Sequence, residues 1–392
     1  MSNYTDTFFG IPSFDFEYEK KSLIDNLNWY KSLSVEEFTF AKKWDELQFY
    51  KNFATESSRV KAKIWKPTDI NDEKLTVKEI EDLNPKVVMV NKKHLDDDWN
   101  MLRLFCHTME FNQTPGRFIK LLITDSNDRY LGILSVASDV ITISVRDSYI
   151  GWTQENRLKD GKLTNSAIGS CIMATQPFGY NFLGGKLAAC LVTSEVVRNA
   201  WKNTYNDTLV GMTTTSLYGS FSMYNNLKWW HKCGSTKGKI LIKPDEKIYQ
   251  TWHQWIKDNK SEEYEKKMTQ KEGVSGPVTS AKLRVIQMMY DACNIKGGDY
   301  VHGYARGTYF SSFYENTRDF LCNKISEDKL VKKELFKNDK NAILDWWKPK
   351  AIERYKKLKL ENRLNNDVLF YNKMLNMTYE ESKKYYFDSV GR

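Results

Sequence analysis

The chain has 392 residues, which is too long for one small hydrophobic core and predicts two or three domains. Its 41% hydrophobic and 28% charged residues are typical of a folded protein, and no apolar run reaches the roughly 20 residues of a membrane helix. The formal net charge of +9 favours a polyanionic partner, while aromatic residues at 14% suit either a core or base stacking.

The cysteines and histidines form no pattern that is typical of a metal site. The 6 cysteines include no CxxC pair, and Cys171 and Cys190 lie in apolar runs, which indicates buried thiols in a reducing compartment. No histidine lies at metal-ligand spacing from another histidine. We expect no metal site, and because no charged-then-apolar leader opens the chain we expect a cytoplasmic location.

Residues 1–85 combine helical patterns with mixed acidic and basic runs. Ser34 followed by two glutamates predicts a capped helix start. No motif in this stretch carries chemistry, so we interpret it as an N-terminal helical brace.

Residues 86–245 carry the pattern of a mixed sheet flanked by helices. The apolar runs 118–124 and 130–136 predict two strands joined by a hairpin turn. Both runs are almost continuously apolar, so we expect both faces of these strands to be covered.

Two strand-and-helix units follow the hairpin. The first begins with an apolar strand at Ile168 and continues as a helix-like run to Tyr205. The second is predicted as a strand from Thr208 and a helix over Ser220 to Gly234, and a short basic strand then reaches Pro244.

Residues 246–392 have a more basic and aromatic character. The pattern predicts helices at 249–270 and 280–293, a glycine-spaced aromatic strand or loop at 301–309, and a mainly helical stretch from residue 327 onward. The predicted fold class is α+β, with the core of residues 86–245 between the brace and this mainly helical C-terminal region.

The turn Gln176-Pro-Phe-Gly-Tyr-Asn181 is the sharpest chemical signal in the chain. It lies between an apolar strand and a helix, where unpaired amides and the positive end of the helix dipole favour an anion. Gly179 lets the backbone approach such a ligand closely. The alternative is an ordinary strand-to-helix turn whose glycines serve packing, and these residues alone leave both interpretations open.

This turn resembles the pyrophosphate-binding turn Q-x-x-G-x-G/A of the GNAT acyltransferases, with Asn181 in place of the final small residue. The resemblance implies a GNAT-like core that binds acetyl coenzyme A or a related acyl coenzyme A. The residues that it assigns to this cofactor are Gln176, Phe178, Gly179, Tyr180, Asn181 and Asn225.

The run Met223 to Gly234 resembles the last helix of the GNAT fold, where a tyrosine protonates the departing thiolate. Trp230 stands in the position of that tyrosine in this chain. Tyr224 is therefore the candidate catalytic acid, and a core tyrosine is the alternative interpretation.

Several ordered blocks resemble the DruA-like proteins, a family named for a component of the Druantia anti-phage system and also found in phages. The blocks are 146–152, 163–166, 179–187, 214–219, 222–227 and 309–320. The core is also distantly similar to the Mom phage DNA-modification proteins, which carry an acid on the strand before the last helix. This chain has Thr215 near that place.

Further candidates come from these blocks and from the aromatic strand or loop at 301–309. Asp147 is a candidate general base, with a surface ion pair as the alternative, and Asn165 is a candidate to orient a base edge, with a turn cap as the alternative. On a strand, Tyr304 and Arg306 would share one face, which suits contact with bases. The alternative is an ordinary strand or loop whose aromatic residues pack on the core. The candidate nucleic-acid contacts are Arg146, Trp152, Tyr304, Arg306 and Tyr309.

Together these resemblances imply a phage-type, Mom-like DNA-modification enzyme, a GNAT-like transferase that acts on a nucleobase amine. Its partner would be DNA, and a viral protein would work in the host cytoplasm. The alternative is a catalytically inactive GNAT-like nucleic-acid-binding component of an anti-phage defence or counter-defence system. A shared fold alone does not decide between them.

Overall fold

The computed structural model describes residues 14–55, 58–107, 116–216, 222–269, 281–337, 339–365 and 370–389. The chain packs as two compact units. The first combines residues within 1–49 and 239–302, and the second combines residues within 50–238 and 303–392. The division into segments 1–85, 86–245 and 246–392 stays a prediction.

In the described part of the chain, seven strands form one sheet with the order β1-β2-β3-β4-β5-β7-β6. β4 and β5 pair in parallel, whereas β1 to β4 pair antiparallel in sequence and β5 pairs antiparallel with β7. The predicted α+β class with a mixed sheet is confirmed. The strands are β1 Lys86–Met89, β2 Phe118–Thr124, β3 Tyr130–Ser138, β4 Ser166–Ala174, β5 Gly211–Ser216, β6 His231–Leu241 and β7 Val301–Ser312.

Helices occupy most of the remaining described chain. They are α1 Phe16–Ser32, α2 Val35–Phe49, α3 Lys51–Thr55, α4 Ser58–Ala62, α5 Glu73–Asp82, α6 Lys93–Cys106, α7 Ser144–Ile150, α8 Gln154–Leu158, α9 Phe178–Asn181, α10 Gly184–Leu191, α11 Glu195–Tyr205, α12 Glu246–Asn259, α13 Ser261–Met268, α14 Ala281–Ala292, α15 Thr317–Leu321, α16 Asp339–Leu360 and α17 Tyr379–Ser389. The predicted brace is helical in α1 to α5.

The predicted hairpin of apolar strands is confirmed as β2 and β3, which pair antiparallel. In β3 every residue from Tyr130 to Ala137 is buried. Because successive side chains of a strand point to opposite faces, this burial requires that both faces are covered. One cover is α6, whose Trp99 indole donates to the carbonyl of Leu134 at 3.0 Å.

The helix-like run after β4 is divided into α9, α10 and α11 rather than continuous. Leu183 adopts a left-handed backbone conformation with φ of 54°, which a continuous right-handed helix excludes. Gly184 then allows close packing, because a Cβ atom there would lie 2.4 Å from the Phe178 ring.

The helix predicted over Ser220 to Gly234 is wrong where the structure describes it. Residues 222–230 form successive turns, and β6 begins at His231. Asn226 has a positive φ of 62°, which interrupts a right-handed helix. The segment has four buried apolar residues at close spacing, which gives the apolar pattern of a helix although the backbone forms turns. They are Tyr224, Leu227, Trp229 and Trp230.

The first unit is built from α1, α2 and α12 to α14. Trp252 is fully buried, and its ring lies 5.1 Å from Phe14 and 5.6 Å from Phe16. Asp45 of α2 accepts from the Glu246 amide at 3.0 Å, beside the start of α12. The predicted helix over 249–270 contains a break at Lys260, where α12 ends and α13 begins.

A buried ion network holds one end of the sheet in the second unit. Arg146 is fully buried, and its Nη1 donates to Asp139 Oδ1 at 2.6 Å while its Nη2 donates to Asp147 Oδ1 at 2.7 Å. Asp139 Oδ2 accepts from Ser166 of β4 and, at 2.7 Å, from Thr213 of β5. One cation between two carboxylates therefore connects β3, α7, β4 and β5.

The Asp147 carboxylate has further partners. It accepts from the Trp152 indole at 2.8 Å and the Ile143 amide at 3.0 Å, and Arg157 lies 3.4 Å away. Removing one member of a buried ion network leaves the other charges uncompensated, which is far more costly than losing an exposed pair.

We expect Asp147→Ala to lower the free energy of unfolding by about 3–5 kcal/mol, because Arg146 and Arg157 would be left buried without this acceptor. Urea denaturation followed by tryptophan fluorescence measures the change. Glu155→Ala, in a largely exposed pair with Lys159, is the control and should cost at most about 1 kcal/mol. An Asp147 variant as stable as the control would contradict the structural role.

Asp45 should make the stability of the first unit depend on pH. Burial is the main cause that raises the pKa of this carboxyl to about 6, and Lys42 opposes the shift. The folded state therefore holds the Asp45 proton more tightly than the unfolded chain does. The contribution of this proton to the free energy of unfolding is lost as the pH rises from about 4 to about 6. Relative to Asp45→Asn, the wild type should lose about 2–3 kcal/mol over this interval in urea titrations. Parallel pH profiles would contradict this expectation.

Candidate functional site

In the turn after β4, two backbone amides donate hydrogen bonds to acceptors of the same turn. The Gly179 amide donates to the Thr175 carbonyl at 2.7 Å, and the Tyr180 amide donates to the Gln176 side-chain oxygen at 3.0 Å. These are amides that the sequence assigned to an anion. The helix that follows, α9, has 4 residues, which is too short for a substantial helix dipole.

The same turn lies beneath α16 and the chain that follows it. Asn181 is buried and exchanges two hydrogen bonds with the Asn365 backbone, at 2.7 and 3.0 Å. The Trp347 indole donates to the Phe182 carbonyl at 2.9 Å, and its ring lies 5.5 Å from Phe178. The predicted cofactor residues of this turn therefore lie together, in a closed conformation.

The parallel strands β4 and β5 pair only near their beginnings in the described chain. Their register runs from Ser166 opposite Gly211 to Ile168 opposite Thr213, while β4 continues to Ala174. A register shift between β3 and β4 accompanies the point of divergence. The carboxyl ends of diverging parallel strands are a common place for ligands in open sheets.

Tyr224 lies at this divergence. Its hydroxyl is 3.3 Å from Thr214 Oγ1, and its ring is 5.1 Å from the Tyr309 ring. Tyr309 in turn donates to Asn225 Oδ1 at 2.7 Å. Burial raises the pKa of Tyr224 above its ordinary value, so the phenol keeps its proton at neutral pH.

The structure thus brings Tyr224, Asn225 and Tyr309 together. Trp230, which stands in the position of the GNAT tyrosine, instead donates its indole N–H to the Ala189 carbonyl at 2.7 Å. It is a buried packing residue.

Three of the predicted nucleic-acid contacts lie below the surface. Arg146, Trp152 and Tyr309 are 0%, 4% and 1% exposed, so none of them offers a surface contact in this structure, and their assignment to nucleic acid stays a prediction. Arg146 and Trp152 belong to the ion network, where both donate hydrogen bonds to Asp147, the proposed base. Arg306 is half-buried on β7, and the side chain of Tyr304 lies outside the described residues.

An open basic groove of about 650 Å³ lies beside α15 in the second unit. Its lining contains three lysines and one glutamate. Asn165 belongs to this lining, and its side-chain amide donates to the Thr208 carbonyl at 2.9 Å. The lining residues are Lys162, Asn165, Phe320, Asn323, Lys324, Ile325, Ser326, Glu327 and Lys329.

Packing fixes one wall of the groove. Lys162 Nζ lies 3.8 Å from the centre of the Phe320 ring, and Phe320 is buried in the second unit. The sequence pointed to Asn165 but missed the lysines, because Lys162 is far along the chain from Lys324 and Lys329. Isolated surface lysines carry no local pattern that marks them as one site.

The described residues include no helix with the length and apolar character needed to span a membrane. Nor do they bring three or more His, Cys, Asp or Glu side chains into a metal-binding group. All six cysteines are free thiols, and Cys171 and Cys190 are buried as predicted.

Comparisons with known proteins identify the family. The family model for Druantia protein DruA matches residues 42–323. The Druantia protein DruA of Escherichia coli (strain UMEA 4076-1) is 32% identical over 126 residues, which cover 29% of this chain and 30% of that protein. The match therefore spans less than a third of the relative's length. No solved structure matches the chain. Because the family model covers more than half of its residues, this chain belongs to the DruA family.

Proposed function

We propose that this protein is a nucleic-acid-binding component of an anti-phage defence system, and that the groove beside α15 holds the phosphate backbone of DNA. The observation that carries the proposal is the set of three lysines around one open groove. Membership of the DruA family supports the defence role.

The charge of the groove suits a polyanion. Lys162, Lys324 and Lys329 outnumber Glu327 in the lining, and Lys324 and Lys329 are exposed. Lysines that neutralise phosphates release condensed counterions, which gives sequence-independent affinity and a strong dependence on salt. The net charge of +9 adds long-range attraction.

The lining also supplies neutral polar groups. Asn165 and Asn323 carry side-chain amides, and Ser326 carries a hydroxyl. Phosphate and sugar oxygens are recognised by such groups as well as by cations. A groove of about 650 Å³ is in the range of sites that hold molecules of nucleotide size.

Replacing Lys162, Lys324 and Lys329 together by Glu should weaken DNA binding by at least tenfold at 150 mM salt, because phosphate contacts become repulsions. The slope of log affinity against log salt should fall by about 2–3 if each lysine neutralises one duplex phosphate. Fluorescence anisotropy with a labelled duplex measures the affinity and its salt slope. The titrations cover about 50 to 300 mM salt, where the affinity depends strongly on salt.

The matched control replaces the exposed lysines 74, 78 and 92 by Glu. This variant has the same change in net charge as the groove variant, so it separates the local effect from long-range attraction. Equal losses in the two variants would show that the groove is not the binding site.

A DNA-modifying transferase is the second candidate function, with an acyl coenzyme A as the donor. The observation that favours it is the divergence of β4 and β5 around Tyr224, whose hydroxyl lies 3.3 Å from Thr214 Oγ1. Burial raises the pKa of this phenol, which makes it a weaker acid and opposes the assignment. The paired amides of Gly179 and Tyr180 and the cover by α16 oppose it, since both would have to rearrange.

Acetyl coenzyme A should leave the unfolding midpoint of the wild-type protein unchanged, because the amides that would cradle its pyrophosphate are already paired. A thermal-shift titration backed by calorimetry tests this. A bound ligand at about 100 times its dissociation constant would add about 2.7 kcal/mol of stability. A saturable shift that Gln176→Ala removes would contradict the expectation and favour the transferase, and Tyr224→Phe would then test the acid.

A further inference from the structure

A second surface feature lies outside the lining of the groove. The rings of Tyr149 and His231 stack with their centres 4.1 Å apart and an angle of 16° between their planes. The guanidinium of Arg318 lies 5.3 Å from the centre of the Tyr149 ring. Tyr149 is half-buried, while His231 and Arg318 are exposed. Tyr149, His231 and Arg318 form a stacking ladder.

Three separate elements bring the stacking ladder together. Tyr149 belongs to α7, His231 begins β6 and Arg318 belongs to α15. Arg318 Nε donates to the Ile150 carbonyl at 3.3 Å, which joins α15 to the end of α7.

The backbone of β6 approaches α7 closely at Gly234. This residue has a φ of 140°, a conformation that L side chains rarely adopt, and its Cβ position would lie 3.3 Å from Val145. The contact fixes β6 beside α7, a few residues after His231.

The surroundings of the ladder are cationic. Partial burial lowers the pKa of His231, and Arg318 and Lys333 act in the same direction. The imidazole is therefore neutral at pH 7, and two fixed cations stand near it. An exposed neutral ring beside cations suits a ligand that is both aromatic and anionic.

We propose that the exposed His231 ring is a stacking platform for one unpaired base of a nucleic acid, with Arg318 and Lys333 near its phosphate. The inference deepens the proposed function and rests on it. Tyr149 stacks on His231 and so supports the platform, and Arg318 lies against the Tyr149 ring. Base stacking on aromatic rings tolerates any base, so the platform selects single-stranded or locally unpaired segments over duplex without reading sequence.

The test measures stacking directly. Protein is titrated into a single-stranded oligonucleotide that carries 2-aminopurine, into the same strand with abasic sites, and into a duplex. The variants are His231→Ala, His231→Phe and, as the control, Tyr18→Ala at a tyrosine that is 68% exposed.

His231→Ala should weaken binding of the base-bearing single strand by about 5- to 150-fold, which corresponds to one lost stacked base. His231→Phe should keep the affinity within about threefold, since phenylalanine also stacks. Affinity for the abasic strand should not change in either variant. Quenching of 2-aminopurine should occur with the wild type and the Tyr18 control but not with His231→Ala.

Equal affinity of the wild type for the base-bearing and abasic strands, or a His231→Ala variant that binds and quenches like the wild type, would overturn the platform. The groove variant separates this failure from that of the proposed function. If groove charge reversal abolishes binding while His231→Ala does not matter, only the platform is wrong. If the wild type binds none of the three nucleic acids, both proposals are wrong.

Discussion

The buried guanidinium of Arg146 is the constraint on which much of the second unit depends. A charge with no exposure to water is tolerated only when carboxylates surround it, and Asp139 and Asp147 do so. Asp139 also accepts from hydroxyl groups of β4 and β5, so one buried cation and its two carboxylates connect these two strands with α7. Tyr149 is carried by that same helix.

The short helix α15 relates the two surface features to this framework. Phe320 of α15 supports Lys162 in the groove, and Arg318 of α15 reaches Tyr149. This helix of 5 residues thus contributes one side chain to the cationic groove and another to the aromatic stack. A strand whose phosphates lie in one and whose bases reach the other would use the two kinds of contact that bind nucleic acids without regard to sequence.

The sequence predicted the elements that local periodicity determines. It did not predict the elements and site residues that depend on contacts between distant parts of the chain. The β2–β3 hairpin and the strand before Gln176 were predicted correctly, because apolar runs and turn residues determine them. The helix over Ser220 to Gly234 was wrong, since its closely spaced aromatic residues are buried by separate neighbours. Arg146 and Trp152 were assigned to nucleic acid because the sequence cannot show that Asp139 and Asp147 pair with Arg146 or that Asp147 accepts from Trp152. The groove lysines were missed for the same reason, since only folding brings them together.

The closed turn after β4 has a consequence for comparing members of the family. The family match ends at residue 323, whereas the helix and the asparagine that close the turn lie at 339–360 and at Asn365. The elements that close the turn therefore lie outside the matched residues. In a family member without counterparts of Trp347 and Asn365, the polar backbone of the turn would lose these contacts. Family members could then differ in whether the turn after β4 is covered or accessible to solvent, and the two kinds need not share an activity.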